Sequence, residues 1–213
     1  MTWYYHDTNA YGSMTQAEME ANASEIYAQL YSVYGWSVNA ISAVLGNMQA
    51  ESYINPAQTQ HGYPVGSMTG GYGLVQWTPA SKIKDWLRNN NHSLYSGFWQ
   101  LYAVNFESTG VQYIPTTQFP LTYAEFKVSG ETVAYLTEAF LKNYERAGVE
   151  ALSTRIQYAE NWYRYLMGTD PPPDPEPTPT PPPEPPDPPD PDPSGYKSPT
   201  SKLIFLRSPR LRF

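Results

Sequence analysis

The sequence contains no cysteine, which excludes disulfide bonds, cysteine nucleophiles and thiolate metal sites. Its three histidines, His6, His61 and His92, are far apart and lie in no metal-binding spacing such as HExxH. No stretch reaches the roughly eighteen consecutive apolar residues of a membrane span, and the first residues lack the pattern of a signal peptide. We therefore expect no metal site and no membrane segment.

Charge and proline are distributed unevenly, and the formal net charge is -7. An acidic chain is a poor partner for nucleic acid, because phosphate binding needs a positive surface. Residues 170–193 contain 15 of the 22 prolines and no basic residue, a composition typical of an extended, self-repelling spacer. We predict a folded domain over 1–169, an acidic disordered linker over 170–194 and a short basic tail over 195–213, which is too small to bury a core.

Apolar residues recur at helical spacing through much of the predicted domain. Thr15 and Glu18 form a capping box ahead of a first helix that ends before Gly35. Ser37 is positioned to cap a second helix, whose apolar stripe runs almost to Glu51. Further helical patterns cover 98–106, 131–146 and 153–167.

A Gly-rich segment without helical periodicity separates the second helix from the later ones. It leads into the stretch GYGLVQW, in which Leu74, Val75 and Trp77 predict a short strand. Thr78 and Pro79 are then expected to be the N-cap and the first residue of another helix. The predicted fold class is α+β: a mostly helical domain with a small strand region.

Glu51 closes the second helix at the edge of its apolar stripe. At 100° per residue it falls beside Val44 and Met48, so we expect it to be half buried. Partial burial disfavours the charged form of a carboxyl group, and a carboxyl group in such a place suits a general acid. A solvated residue at a helix end occupies the same position in sequence, so the position alone does not assign a role.

The segment that follows Glu51 is rich in groups that bind sugars. Glycoside hydrolases combine an acid with an extended cleft lined by amide, hydroxyl and aromatic side chains. An ordinary polar loop with aromatic packing has the same composition. The candidates for this wall are Tyr53, Asn55, Gln58, Gln60, Tyr63, Tyr72, Gln76 and Trp77.

The stretch NAISAVLGNMQAES, followed by INP and GYGLVQWTPAS, resembles the phage tail lysozyme family of the lysozyme-like group. The stretches AFLKNYERAG and YAENWYRYL resemble later helices of that family, so the resemblance covers most of 15–167. It implies an N-acetylmuramidase that cleaves the MurNAc–GlcNAc linkage of bacterial peptidoglycan without a cofactor. It also implies peptidoglycan glycan strands and phage tail components as partners, and action on the cell wall after lysis or from a virion.

Carried over residue by residue, the resemblance makes Glu51 the catalytic acid. Gln76 belongs to the predicted strand that forms the floor of the cleft, and Trp77 closes one side. Tyr144, Glu145 and Arg146 match a motif on a later helix, where bracing of the core is the favoured role. The candidate substrate-binding residues are Ser52, Gln60, Tyr72, Gln76, Trp77 and Tyr144.

The second catalytic group stays open, because no carboxylate lies between Ser52 and Lys84. A more distant acid, Asp85, Glu107 or Glu145, can activate water, and hydrolysis is the favoured route. Alternatively the substrate's own groups assist, which gives 1,6-anhydro products as in lytic transglycosylases. A noncatalytic wall-binding or phage structural module is the competing interpretation from another class.

Overall fold

The computed structural model describes residues 3–146 and 151–169. The predicted linker over 170–194 and tail over 195–213 lie outside the described residues. Two π-helical segments, Ala28–Val33 and Leu141–Glu145, directly continue the first and sixth α-helices. The α-helices of the described ranges are α1 Gln16–Tyr27, α2 Val38–Ser52, α3 Ser81–Asn89, α4 Gly97–Phe106, α5 Tyr123–Val128, α6 Val133–Phe140 and α7 Leu152–Leu166.

The first two helices begin where the sequence predicts. The Thr15 side chain accepts a hydrogen bond from the backbone N–H of Glu18, whose carboxylate accepts one from the Thr15 N–H at 2.9 Å. The Ser37 hydroxyl caps α2 by accepting from the Ala40 N–H at 3.1 Å. The helices α4, α6 and α7 occupy the other predicted segments, which confirms the mostly helical part of the fold class.

The predicted strand is wrong. Residues 73–76 form a turn, in which Gly73 and Gln76 have φ angles of 79° and 48°. The Leu74 N–H is satisfied by the side-chain oxygen of Gln100 at 3.0 Å instead of a neighbouring strand. Extended pairing in the described ranges is limited to isolated bridges such as Thr59 with Tyr72.

The start of α3 also differs from the prediction. Thr78 and Pro79 precede the helix instead of opening it, and the peptide bond between them is cis. The helix begins at Ser81 with Ala80 as its N-cap, and no side chain caps it. The chain therefore makes one further turn between the Gly-rich segment and α3.

The helix α2 lies in the interior and packs against α6 and α7. Every residue from Ala40 to Gln49 is buried, so the predicted stripe is part of a helix covered on nearly all sides. At Gly46 an added Cβ would lie 2.6 Å from both the carbonyl oxygen of Arg155 and the Cβ of Ala159. Glycine at this position therefore permits the close contact between α2 and α7.

Substitution of Gly46 by alanine should destabilise the fold. Its Cβ would meet backbone atoms of α7, which cannot move without shifting the helix, so we expect a loss of about 1–3 kcal/mol. Gly130→Ala is the matched control, since an added Cβ there has nothing within 4 Å. Urea unfolding measures both variants, and equal midpoints would show that the helices have room to separate.

Candidate active site

A cleft of about 530 Å³ lies beside the C-terminal end of α2. Its lining combines glutamine side chains with aromatic rings and a small group of charged residues. Five of the eight residues predicted for a sugar-binding wall lie in this lining, whereas Asn55, Tyr63 and Tyr72 do not. The uncharged part of the lining includes Tyr11, Tyr53, Gln58, Gln60, Gln76 and Trp77.

Most of the predicted site residues line this cleft, and two do not. Ser52 is fully buried, and its hydroxyl lies 2.9 Å from the Leu74 carbonyl oxygen. Tyr72 is 1% exposed, and its ring packs under the Lys84 ammonium group at 4.0 Å. Because both are buried and neither is in the lining, Ser52 and Tyr72 are out of reach of a ligand in the cleft. The predicted residues in the lining are Glu51, Gln60, Gln76, Trp77 and Tyr144.

Polar contacts with α6 and α7 fix the part of α2 that carries Glu51. The Asn47 amide donates to the Thr137 carbonyl oxygen at 3.2 Å, and the Gln49 side-chain oxygen accepts from the Trp162 indole N–H at 2.7 Å. Tyr53 then ends the helix in the left-handed region with φ at 55°. Glu51 therefore projects from the last turn of a rigid helix, and its side chain is 20% exposed, half buried as the sequence pattern predicts.

Arg155 of α7 joins two carboxylates at the cleft. Its Nη2 donates to Glu51 Oε1, and its Nη1 lies 2.9 Å from Glu145 Oε2. The same Nη1 lies 3.0 Å from Asn47 Oδ1, which holds the guanidinium group against α2. The side chains of Arg155 and Glu145 are only 9% and 5% exposed. Two carboxylates thus share one cation in a nearly buried setting.

The protonation of Glu145 is shifted by this environment. Burial raises the pKa of Glu145 well above its usual range, and the nearby Glu51 carboxylate raises it further. The Arg155 guanidinium opposes both effects without cancelling them. The protonated form of Glu145 is therefore favoured over a wider pH range than that of an exposed glutamate.

The structure places the three candidates for the second catalytic group, Asp85, Glu107 and Glu145, in different environments. Glu145 lines the cleft and contacts the same arginine as Glu51. Glu107 instead accepts the backbone N–H groups of Gln112 and Tyr113, at 2.7 and 2.6 Å. Asp85 pairs with Arg88 at 3.6 Å on α3. Neither Glu107 nor Asp85 is in the lining of the cleft.

Sequence reasoning missed Arg155. The available signal is its spacing to Ala159 and Trp162, which places all three on one face of α7. A charged residue on an otherwise buried face needs a partner of opposite charge. The pattern does not say which acid supplies that partner.

The sequence model of the phage tail lysozyme family matches residues 21–166. The chain belongs to this family. The resemblance recognised in the sequence is thereby confirmed. In the part of the chain that the structure describes, no helix is long and apolar enough to cross a membrane.

A relative of this chain is morphogenesis protein 1 of Bacillus phage B103, with 37% identity over 165 residues. The match covers 77% of the present chain and 44% of the relative. The chain therefore spans less than half the length of that protein.

Proposed function

We propose that this chain is an N-acetylmuramidase that cleaves the MurNAc–GlcNAc linkage of bacterial peptidoglycan, with Glu51 as the general acid. The observation that carries the proposal is the half-buried carboxyl group of Glu51 in a cleft lined by glutamines and aromatic rings. A glycosidase needs such an acid to protonate the leaving oxygen. Membership of the phage tail lysozyme family supports peptidoglycan as the substrate.

The substrate contacts follow from the lining of the cleft. Gln60 is exposed there, and its side-chain oxygen accepts the Gly71 N–H at 2.7 Å, which leaves its amide N–H groups for sugar hydroxyls. The Gln76 amide nitrogen instead donates to the backbone carbonyl groups of Gln58 and Gly73, which leaves its oxygen as the remaining polar atom of the side chain. Trp77 and Tyr144 are each 3% exposed, so they offer a sugar only a small part of their ring surface.

A specific observation favours lytic transglycosylation as a second candidate. Glycosidases that use two carboxylates separate them across the bond, by about 5 to 9.5 Å. Within residues 3–146 and 151–169, the acids that line the cleft are Glu51 and Glu145, which meet on the same arginine. Attack by a group of the substrate needs no carboxylate on the opposite face.

The products of wall digestion separate the two routes. We expect reducing MurNAc ends, because hydrolysis adds one water across the bond. Transglycosylation instead leaves a 1,6-anhydro end, which is lighter by one water and resists borohydride. Mass spectrometry of the released muropeptides after borohydride treatment measures the ratio. Dominant anhydro ends would replace the hydrolase assignment by the second candidate.

The same measurement tests a noncatalytic role. The phage B103 relative is called a morphogenesis protein, which supports a place for this chain in the virion, next to tail components. A purely structural or wall-binding module releases no muropeptides at all. An enzyme that is carried in a virion or freed at lysis releases them at a rate that depends on protein concentration.

A further inference from the structure

Glu145 and Glu51 are brought together from distant parts of the chain. Glu51 lies in the last turn of α2, whereas Glu145 ends the π-helical segment that continues α6. Arg155 reaches both carboxylates with its two terminal nitrogens. The unused oxygen of Glu145, Oε1, is buried and has no hydrogen-bond donor among the described residues.

A buried carboxylate oxygen without a donor is costly, because it has lost its hydration without a replacement. A proton placed between the two carboxyl groups removes that cost, since a protonated carboxyl donates where a charged one only accepts. One guanidinium also neutralises only one of two carboxylates. Two carboxyl groups in contact retain a proton at a pH where isolated ones have lost it.

We propose that Glu145 is a positioning residue that keeps a proton within reach of Glu51, through a contact between their carboxyl groups that Arg155 completes. This inference rests on the proposed function, because it concerns how Glu51 is supplied with the proton it donates. Glu51 passes the proton to the leaving oxygen as the glycosidic C–O bond breaks. Water then forms the new C–O bond, and the proton it releases returns to the pair.

Other charged and titratable groups lie near the Glu51 and Glu145 carboxyl groups and can influence their protonation. Arg155 faces them from α7, and Arg146 and Tyr144 are the neighbours of Glu145 in sequence. Arg146 also lines the cleft and donates to the Gln112 carbonyl oxygen. Lys82 and His61 line the same cleft. Among these groups, Arg155 forms the ion pair with Glu145, at 2.9 Å.

Glu145→Gln tests the proposal through the pH profile of activity. The amide still accepts from Arg155, but it cannot hold the shared proton, and its N–H favours a charged Glu51. The form of the enzyme that can donate a proton should therefore disappear at lower pH. We expect the basic limb of kcat/KM on soluble glycan fragments to move down by about one pH unit or more.

Glu160→Gln is the matched control. Glu160 is exposed on α7, the helix of Arg155, and lies outside the cleft lining, so this variant removes one acidic charge without touching the pair. Its profile should coincide with that of the parent. A basic limb that stays in place in a folded Glu145→Gln protein, as judged by circular dichroism, overturns the proposal.

A second measurement covers the case in which Glu145→Gln does not fold. Carbon-detected NMR on the parent chain with ¹³C-labelled glutamate follows the two carboxyl groups directly and needs no activity. A shared proton gives two separated titration steps, one of them well above the ordinary value of about 4.3. Two overlapping steps near that value contradict the proposal.

Failure of this inference is distinguishable from failure of the proposed function. A parent chain that cleaves no glycan refutes the function, whatever the NMR titration shows. A parent chain that cleaves glycan while the titration steps overlap refutes only the role of Glu145.

Discussion

Replacing Glu51 with glutamine is expected to abolish wall lysis and leave the fold intact. The amide has nearly the same shape and can still accept from Arg155, but it has no proton to donate to the leaving oxygen. Loss of a general acid typically lowers the rate by about 10²- to 10⁴-fold. Turbidity clearance of bacterial cell walls measures the activity, and circular dichroism reports the fold.

Glu160→Gln serves as the control for this loss as well. It makes the same chemical change at an exposed site on α7 and should clear walls at the parental rate. Clearance by Glu51→Gln at that rate would remove Glu51 from the mechanism. Loss in both variants would indicate a general effect of charge.

Replacing Arg155 with methionine should give the largest loss of stability. The substitution leaves the Glu145 carboxyl group, which is 5% exposed, without a charged partner, next to a second carboxylate. Removing one member of a buried ion pair typically lowers the free energy of unfolding by about 3–5 kcal/mol. Arg88→Met is the control, since Arg88 is 51% exposed and pairs with the exposed Asp85, so its loss should change that energy by about 1 kcal/mol or less.

The loss of unfolding free energy caused by Arg155→Met should become smaller as the pH falls. Burial raises the pKa of Glu145 in the folded state, and loss of Arg155 removes the contribution that lowers it. A carboxyl group whose pKa is raised in the folded state stabilises the fold fully only below its unfolded-state pKa of about 4.3. This stabilisation is lost as the pH rises through the pKa of the folded state. Urea unfolding at pH 7 and pH 5 should show a smaller gap to the parent at pH 5. A constant gap would mean that Glu145 is not the group left without its partner.

Local rules were sufficient to predict where α1 and α2 begin, although not where α3 begins. The Thr15–Glu18 capping box and the Ser37 cap depend on residues three positions apart, so the sequence contains everything that determines them. The half-buried state of Glu51 follows from helical spacing for the same reason. Even α5, which apolar periodicity does not reveal because it has six residues, begins with a capping box at Thr122.

The turn at 73–76 depends on contacts that the sequence does not display. Leu74 and Val75 have the composition of a strand, and both are buried. Yet the backbone turns because Gly73 has a positive φ and a side chain of α4, Gln100, takes the place of a strand partner. Whether residues 73–76 form a turn or a strand therefore depends on Gln100, which is distant in the sequence.

The pairing of Arg155 with two glutamates is also a tertiary property. Glu145 and Glu51 are separated by more than 90 positions, and each resembles an ordinary solvated helix residue in its local context. Arg155 of α7 can reach Glu51 of α2 because Gly46 lets the two helices approach closely. The absence of a side chain at Gly46 thus allows the Arg155 guanidinium group to lie beside Glu51.

The π-helical segment Leu141–Glu145 affects how related chains should be aligned. A π turn closes its hydrogen bond over five residues instead of four, so it accommodates one residue more than an α turn. Removing that residue would restore a regular helix and rotate Glu145 by about 100° around the axis, away from Arg155. An alignment that allows no gap inside this helix would then match Glu145 to the wrong column. Homologues should be aligned so that the glutamate that contacts the arginine of α7 occupies the column of Glu145. A single-residue gap should be allowed between Phe140 and Glu145.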